Sequence, residues 1–134
     1  MNRREFVALG ASTAAVPAAA QTAWDAGAVS HLLPGASHER ILLKASFTRP
    51  SMRPPVLRAQ ALSATGRQTD GEGFYWSFDL TGLQPHTTYQ LRLHDSGGEP
   101  LCDPWPLRTL PHPNENTASL RLMVYTCAGG HENL

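Results

Sequence analysis

The sequence predicts an all-β domain, a sandwich of antiparallel strands. Apolar and polar residues alternate with a period of two in short segments, most clearly over residues 40–47, 74–79 and 89–93. Clusters of glycine and proline separate these segments at the short spacing that is typical of an all-β domain. A turn also leads directly into a strand over residues 82–93, and this stretch organises the rest of the chain.

The turn-to-strand stretch has the spacing Leu-x-Pro-x-Thr-x-Tyr-x-Leu, carried by Leu83, Pro85, Thr87, Tyr89 and Leu91. Proline fixes φ at the corner, and the residues after it alternate as in a strand with one apolar face. The spacing resembles the tyrosine corner of fibronectin type III and immunoglobulin-like sandwiches, whose Tyr hydroxyl bonds to backbone a few residues upstream. The resemblance implies an Ig/fibronectin-III-like β-sandwich over residues 37–111, in which Tyr89, Pro85 and Leu83 have structural roles.

Two strands are predicted between residues 40 and 65. Residues 40–47 place Ile41, Leu43 and other apolar side chains on one face. Residues 56–65 place Leu57, Ala59 and Ala61 on one face and are predicted as a single strand, although alanine and leucine also favour a helix. Three prolines within residues 50–55 break the chain between the two strands.

A strand rich in aromatic residues follows, and a closing strand completes the domain. Phe74, Trp76 and Phe78 alternate with smaller or polar residues and are predicted to fill the core opposite Tyr89. The alternative is a platform on the outside of the sheet for stacking against carbohydrate. Residues 95–98 are predicted as a hairpin turn and residues 107–111 as the closing strand, so the sandwich ends near Pro111.

The amino-terminal residues 1–20 are predicted to be a signal peptide of the twin-arginine type. Arg3 and Arg4 precede a short alanine-rich apolar run, and residues 18–20 offer an A-x-A cleavage site. An ordinary secretory signal is the alternative. The run is too short and too weakly apolar for a membrane span. We therefore expect an exported protein, periplasmic or extracellular, in which residues 21–36 form a lead-in segment without periodicity.

Charge and cysteine content restrict the partners of the chain. The 134 residues hold 11 basic and 11 acidic residues, a balance that gives no sign of binding to nucleic acid. The two cysteines, Cys102 and Cys127, could form a disulfide in an exported chain. Cys127 could instead be a metal ligand, because it follows directly after a predicted strand.

After Pro111 the chain changes character. Residues 112–117 are a polar linker, and residues 119–126 are apolar on both faces, as in a strand that is buried from two sides. Site residues gather at the carboxyl ends of such strands, where Cys127 and His131 are possible metal ligands. Two ligands are too few for a catalytic metal centre. Four other histidines are predicted to be solvated and without partners: His38, His86, His94 and His112.

The whole chain resembles the amino-terminal part of PhoD-like alkaline phosphatases and phosphodiesterases. The likeness rests on the leader, the Ig-like domain, the proline-rich linker and the strand that ends in Thr126 and Cys127, together with residues 31–34, 37–44 and 102–109. It implies that residues 112–134 are the linker and first strand of a truncated metallophosphoesterase domain. In that family the domain is a hydrolase of phosphoesters with bound iron and calcium, and its cysteine after the first strand, here Cys127, is an iron ligand.

Two functions follow from these observations. In the first, the chain is the accessory domain of an exported phosphoesterase whose catalytic domain lies in cis beyond residue 134; no residue of the chain itself is catalytic, and it binds no cofactor alone. Many relatives have Ser-Cys-Gln at this strand end, whereas this chain has Thr-Cys-Ala over residues 126–128. In the second, the chain is a stand-alone Ig-like binding module of the cell envelope, and residues 112–134 add a strand to the sandwich.

Overall fold

The computed structural model describes residues 22–121 and residue 124, and these residues contain strands and no helix. No helix in the described part of the chain therefore has the length and apolarity to cross a membrane. The predicted all-β class is confirmed. The strands are β1 (Val29–Ala36), β2 (Arg40–Phe47), β3 (Val56–Ala59), β4 (Leu62–Thr65), β5 (Arg67–Gln68), β6 (Tyr75–Thr81), β7 (Thr88–His94) and β8 (Trp105–Arg108).

The strands form two antiparallel sheets of four strands each. The first sheet has the order β1-β2-β6-β5 and the second has the order β4-β3-β7-β8. Burial alternates strictly along β6 and β7, so each of these strands turns one face to a shared core and the other to solvent. The two layers make a β-sandwich.

The core consists of the inward positions of both sheets. Its side chains belong to one hydrophobic cluster in which Ile41, Leu57 and Leu91 are fully buried. Burying one such side chain contributes about 1.5–3 kcal/mol to folding. Trp76 and Phe78 are buried as predicted, whereas Phe74 precedes β6 and is half-buried.

The sandwich begins earlier than the sequence suggested. Residues 21–36 were predicted as a lead-in without regular structure, but residues 29–36 form β1, which pairs with β2 along its whole length. The prediction was wrong because β1 is an edge strand with a register shift between Val29 and His31 and with exposed proline and glycine, so its apolar alternation is broken. Only Val29 is buried, while Leu32 and Ala36 pack partly against the core.

Residues 56–65 form a hairpin instead of the predicted single strand. Ala59 pairs with Leu62, and Gln60 and Ala61 make the two-residue turn. Gln60 has a φ of 52°, a conformation for which glycine or asparagine is the usual residue. The turn was missed because neither residue is a turn former, and Ala61, which was assigned to the core face, is exposed.

The remaining differences lie at strand ends and beyond the sandwich. The two-residue strand β5 was not predicted, and the closing strand runs over residues 105–108, slightly before the predicted 107–111. The strand predicted over residues 119–126 is not formed over 119–121, and the side chains of Leu120 and Val124 are 65% and 82% exposed. The rest of that segment, with Cys127, lies outside the described residues.

Candidate functional site

Several hydrogen bonds join the loops at the end of the sandwich where β8 ends. Three segments meet there, residues 37–39 between β1 and β2, residues 82–87 between β6 and β7, and residues 109–115 after β8. We call this region the exit end. It contains two of the structural residues predicted from the sequence, Leu83 and Pro85, and the hydroxyl of a third, Tyr89 of β7, bonds to it.

The tyrosine corner forms as predicted. The backbone N–H of Gln84 donates a hydrogen bond of 2.8 Å to the Tyr89 hydroxyl, and Tyr89 itself is 3% exposed. Leu83 is equally buried, and its N–H donates to the carbonyl of Glu39 at 3.1 Å. Pro85, which follows these two donors, is half-buried and fixes φ at the bend. The corner therefore joins the β6–β7 loop both to β7 and to the β1–β2 loop.

Thr109 joins the end of β8 to the same corner. Its side chain is buried, and its hydroxyl donates to the carbonyl of Gln84 at 2.6 Å and accepts from the N–H of Thr87 at 3.0 Å. Its own N–H donates to the Thr87 carbonyl at 2.9 Å. Sequence reasoning missed this residue. The available signal was its parity, since Thr109 follows Leu107 on the inward-facing positions and a polar side chain there needs internal partners.

Hydrogen bonds continue past Thr109 into the exit segment. The N–H of Leu110 donates to the carbonyl of Ser37 at 3.0 Å, and the N–H of His86 donates to the carbonyl of Leu110 at 3.0 Å. These two bonds place Leu110 between the β1–β2 loop and the β6–β7 loop. Backbone hydrogen bonds therefore act together with the Thr109 hydroxyl to position the chain where it leaves β8.

The histidines of the exit end have partners, contrary to the prediction that they stand alone. The rings of His38 and His112 meet edge to face, with centroids 5.0 Å apart and planes at 75°. His86 Nδ1 lies 3.6 Å from a carboxylate oxygen of Glu115, and His38 Nε2 lies 3.7 Å from a carboxylate oxygen of Glu39. The contacts of His38 with His112 and of His86 with Glu115 were missed because they join residues far apart in sequence. The polar linker therefore lies against the sandwich as far as Glu115.

Trp76 and Asp70 stabilise the opposite end of the sandwich. Trp76 is buried as predicted, and its indole N–H donates to the Gly73 carbonyl at 2.8 Å. The Asp70 carboxylate accepts the N–H groups of Gly73 and Phe74 at 3.0 Å each. Burial raises the pKa of Asp70, but backbone donation from Phe74, Tyr75 and Gly73 outweighs it, so the pKa lies below its ordinary value.

Cys102 and His94 lie near one another in the second sheet and its loop. Cys102 is 7% exposed, and burial, followed by the nearby carboxylates of Asp103 and Asp25, raises the pKa of its thiol to about 11. Whether it pairs with Cys127 was left open by the sequence, and Cys127 lies outside the described residues. His94 has a buried Nδ1 with no hydrogen-bond partner among those residues, although it pairs across strands with Val56.

The predicted metal ligands Cys127 and His131 also lie outside the described residues. Within residues 22–121, no group of three or more His, Cys, Asp or Glu side chains has an arrangement that could hold a metal ion. The described residues thus supply no donor set for the iron and calcium that the sequence resemblance implies, and we assign no chemical step to them.

At the exit end, backbone and side-chain contacts join the two loops and the linker. The hydroxyls of Tyr89 and Thr109 both form hydrogen bonds with backbone groups. The histidine contacts join the linker to the β1–β2 and β6–β7 loops. No family model, curated protein or solved structure matches this chain. The strand order and the bonded exit are accordingly the observations from which a function is inferred.

Proposed function

We propose that the described domain is an immunoglobulin/fibronectin-III-like sandwich. If β1 to β8 are lettered A, B, C, C′, D, E, F and G, the first sheet has the order A-B-E-D and the second C′-C-F-G. The A-B-E-D and C-F-G sheets are the two layers of an immunoglobulin constant domain. Tyr89 then stands near the start of strand F, after the E–F corner, where those domains place the tyrosine corner.

We further propose that the chain is the amino-terminal accessory domain of an exported PhoD-like alkaline phosphatase or phosphodiesterase. The observation that supports this most is the bonded exit. Residues 109–115 are held by the β1–β2 and β6–β7 loops, so whatever follows the linker leaves the sandwich in a fixed direction. A domain that braces a neighbour needs such a junction, whereas a module on a free tether does not.

In this proposal the sandwich orients the catalytic domain, and the residues beyond it carry out the chemistry. Hydrolysis of the phosphoester belongs to the catalytic domain in cis, where iron and calcium would act and Cys127 would be an iron ligand. The described residues orient that domain through Thr109, Leu110 and the paired histidines. The leader over residues 1–20 would take the protein out of the cytoplasm by the twin-arginine route.

The gene sequence after codon 134 tests this proposal. We expect an open reading frame that encodes buried strands ending in Asp, Asn and His residues, the remaining ligands of a metallophosphoesterase. A stop codon directly after Leu134 would contradict the proposal. As a biochemical counterpart, the purified chain with added iron and calcium should not hydrolyse bis(p-nitrophenyl) phosphate, and turnover that follows the protein through purification would overturn the proposed division of work.

A stand-alone binding module is the second candidate, and one observation favours it. The outer face of the first sheet exposes three large apolar side chains, with Leu33 at 69%, Tyr75 at 56% and Leu42 at 49% exposed. Exposed apolar residues on one sheet face are typical of interaction surfaces. Hydrogen exchange distinguishes the candidates, because a self-contained module would protect the residues around Leu120 as strongly as β7.

A further inference from the structure

The outer face of the second sheet carries basic side chains and no acidic ones. Strand alternation directs every second residue of β3, β4, β7 and β8 to solvent. Arg58 lies within β3, Arg92 lies within β7, and Arg108 is the last residue of β8. The outward residues are Val56, Arg58, Ser63, Thr65, Thr88, Gln90, Arg92, His94, Pro106 and Arg108.

Arg58 and Arg92 are direct neighbours across the β3–β7 pair. They are Cα partners in the antiparallel register, and both side chains are exposed. Directly opposite residues have Cβ atoms about 4.5–5.5 Å apart, and like charges in this arrangement are destabilising. Neither guanidinium lies within ion-pair distance of a carboxylate of residues 22–121. The sheet thus holds two like charges together without an internal counter-ion.

The acidic residues nearest to this face are engaged elsewhere. Asp103 borders a cleft that Arg92 also lines, but its carboxylate accepts the N–H of Asp25 at 3.0 Å. The Asp95 carboxylate accepts the N–H groups of two residues of its own turn. The first sheet provides the contrast, since Arg40 there donates two hydrogen bonds of 2.6 Å to Asp79.

We infer that Arg58 and Arg92 form a binding site for a phosphate group. A guanidinium presents a planar fork of donors that matches phosphate oxygens, and an anionic phosphate group between two such forks replaces their repulsion by two charge-assisted contacts. The outward positions of this sheet include no Phe, Tyr or Trp, so the site recognises charge and shape and has no large aromatic platform for stacking a base. The ligand is bound there and not hydrolysed.

This site is independent of the proposed function. It lies on the outside of the second sheet, and its existence does not require a catalytic domain. The phosphate group could belong to a soluble ester or to the headgroup of an anionic lipid, and both present the same chemistry to the arginine pair.

Titration of the full chain with inorganic phosphate tests the inference. Amide chemical shifts are followed by NMR at constant ionic strength, with chloride replaced by phosphate. We expect saturable shifts centred on Arg58 and Arg92. Arg58→Gln and Arg92→Gln should each weaken binding by about tenfold or more, since each removes one charge-assisted fork. Arg108→Gln is the matched control, because it removes the same charge from the same face about 13 Å along β7 and should leave the affinity within about twofold.

Two outcomes would overturn the inference. One is a linear, non-saturating response, and the other is an affinity that falls equally in all three variants, which would indicate a diffuse field and no site. Vesicles of phosphatidylglycerol, with phosphatidylcholine vesicles as reference, then identify the carrier of the group. Vesicle binding that the Arg58→Gln, Arg92→Gln double variant abolishes assigns a lipid headgroup; phosphate binding without vesicle binding assigns a soluble ester. The amide spectrum of each variant shows that it is folded.

Discussion

At the scale of single residues, Tyr89 does more than fill the core. Its ring is buried among the inward residues of both sheets, while its hydroxyl reaches the N–H of Gln84 at the surface of the corner. The ring could be replaced by another apolar side chain of similar size. The hydroxyl contact is specific to tyrosine and is what fixes the loop.

Tyr89→Phe should therefore destabilise the domain modestly. The change keeps the ring and deletes the acceptor for the Gln84 N–H, and a hydrogen bond of this kind contributes about 1 kcal/mol. The free energy of unfolding in urea measures the loss. Tyr75→Phe is the matched control, because the Tyr75 side chain is 56% exposed on the outer face of the first sheet and should tolerate the change. Equal stability of Tyr89→Phe and the unchanged protein would contradict the structural role of the corner.

Asp70 should make stability depend on pH in the acid range. Its folded pKa is lowered from the ordinary 3.8, so its carboxylate stabilises the fold above the unfolded pKa, and this contribution is lost as the pH falls through the folded pKa. Asp70→Asn should flatten the fall in unfolding free energy between about pH 4 and pH 2. Glu72→Gln, which removes a neighbouring exposed carboxylate, should leave the slope unchanged. An unaltered slope in Asp70→Asn would contradict the assignment.

At the scale of elements, the β8 end and the exit segment behave as one unit with the β6–β7 loop. Thr109 bonds to residues on both sides of Pro85, and Leu110 bonds to Ser37 and His86. Loss of one of these contacts therefore weakens several others, because all of them hold the same short length of chain.

Thr109→Val should loosen this unit. Valine keeps the shape but leaves the Gln84 carbonyl and the Thr87 N–H without their partner, at a cost of about 1–3 kcal/mol. Thermal or urea unfolding gives the magnitude, and faster exchange of the Leu110 amide than of the β7 amides would locate the effect at the exit end. Thr65→Val, on the solvent face of β4, is the control and should be nearly neutral. A neutral Thr109→Val would show that the exit is held by other contacts.

The elements that the sequence predicted are those in which local pattern and burial agree. Residues 40–47 and 89–93 alternate cleanly because both strands are central in their sheets, and the corner was predictable because Pro85 and Tyr89 stand at a recognisable spacing. The edge strand β1 was missed because a register shift and its exposed proline and glycine break the apolar alternation. The β3–β4 turn was missed because tertiary pairing places Gln60 at positive φ without a turn-forming residue.

The exit end could not have been predicted from local patterns. Its contacts join residues 37–39, 82–87 and 109–115, which lie far apart along the chain, and only the strand order brings them together. The same is true of Arg58 and Arg92, which no spacing relates and which become neighbours through the β3–β7 register. Sequence periodicity predicts which face a residue occupies but not which residue stands opposite.

At the scale of the whole molecule, the proposed role of the domain depends on which strand completes the sandwich. A brace requires a sandwich that is complete by β8, a fixed exit and a following segment that belongs elsewhere. A self-contained binding module requires that the following segment completes the sandwich. Among the described residues, the N–H and the carbonyl of Leu110 are hydrogen-bonded to loops of the sandwich, and Leu120 and Val124 are exposed.

Native-state hydrogen exchange of the whole 134-residue chain tests this difference most directly. If the domain is a brace, the amides of Leu110 and His86 should be protected nearly as strongly as those of Leu91 and Leu93 in β7, while the amide of Leu120 should exchange close to the unprotected rate. Protection of Leu120 equal to that of β7, together with rapid exchange at Leu110, would contradict the account and favour the stand-alone module.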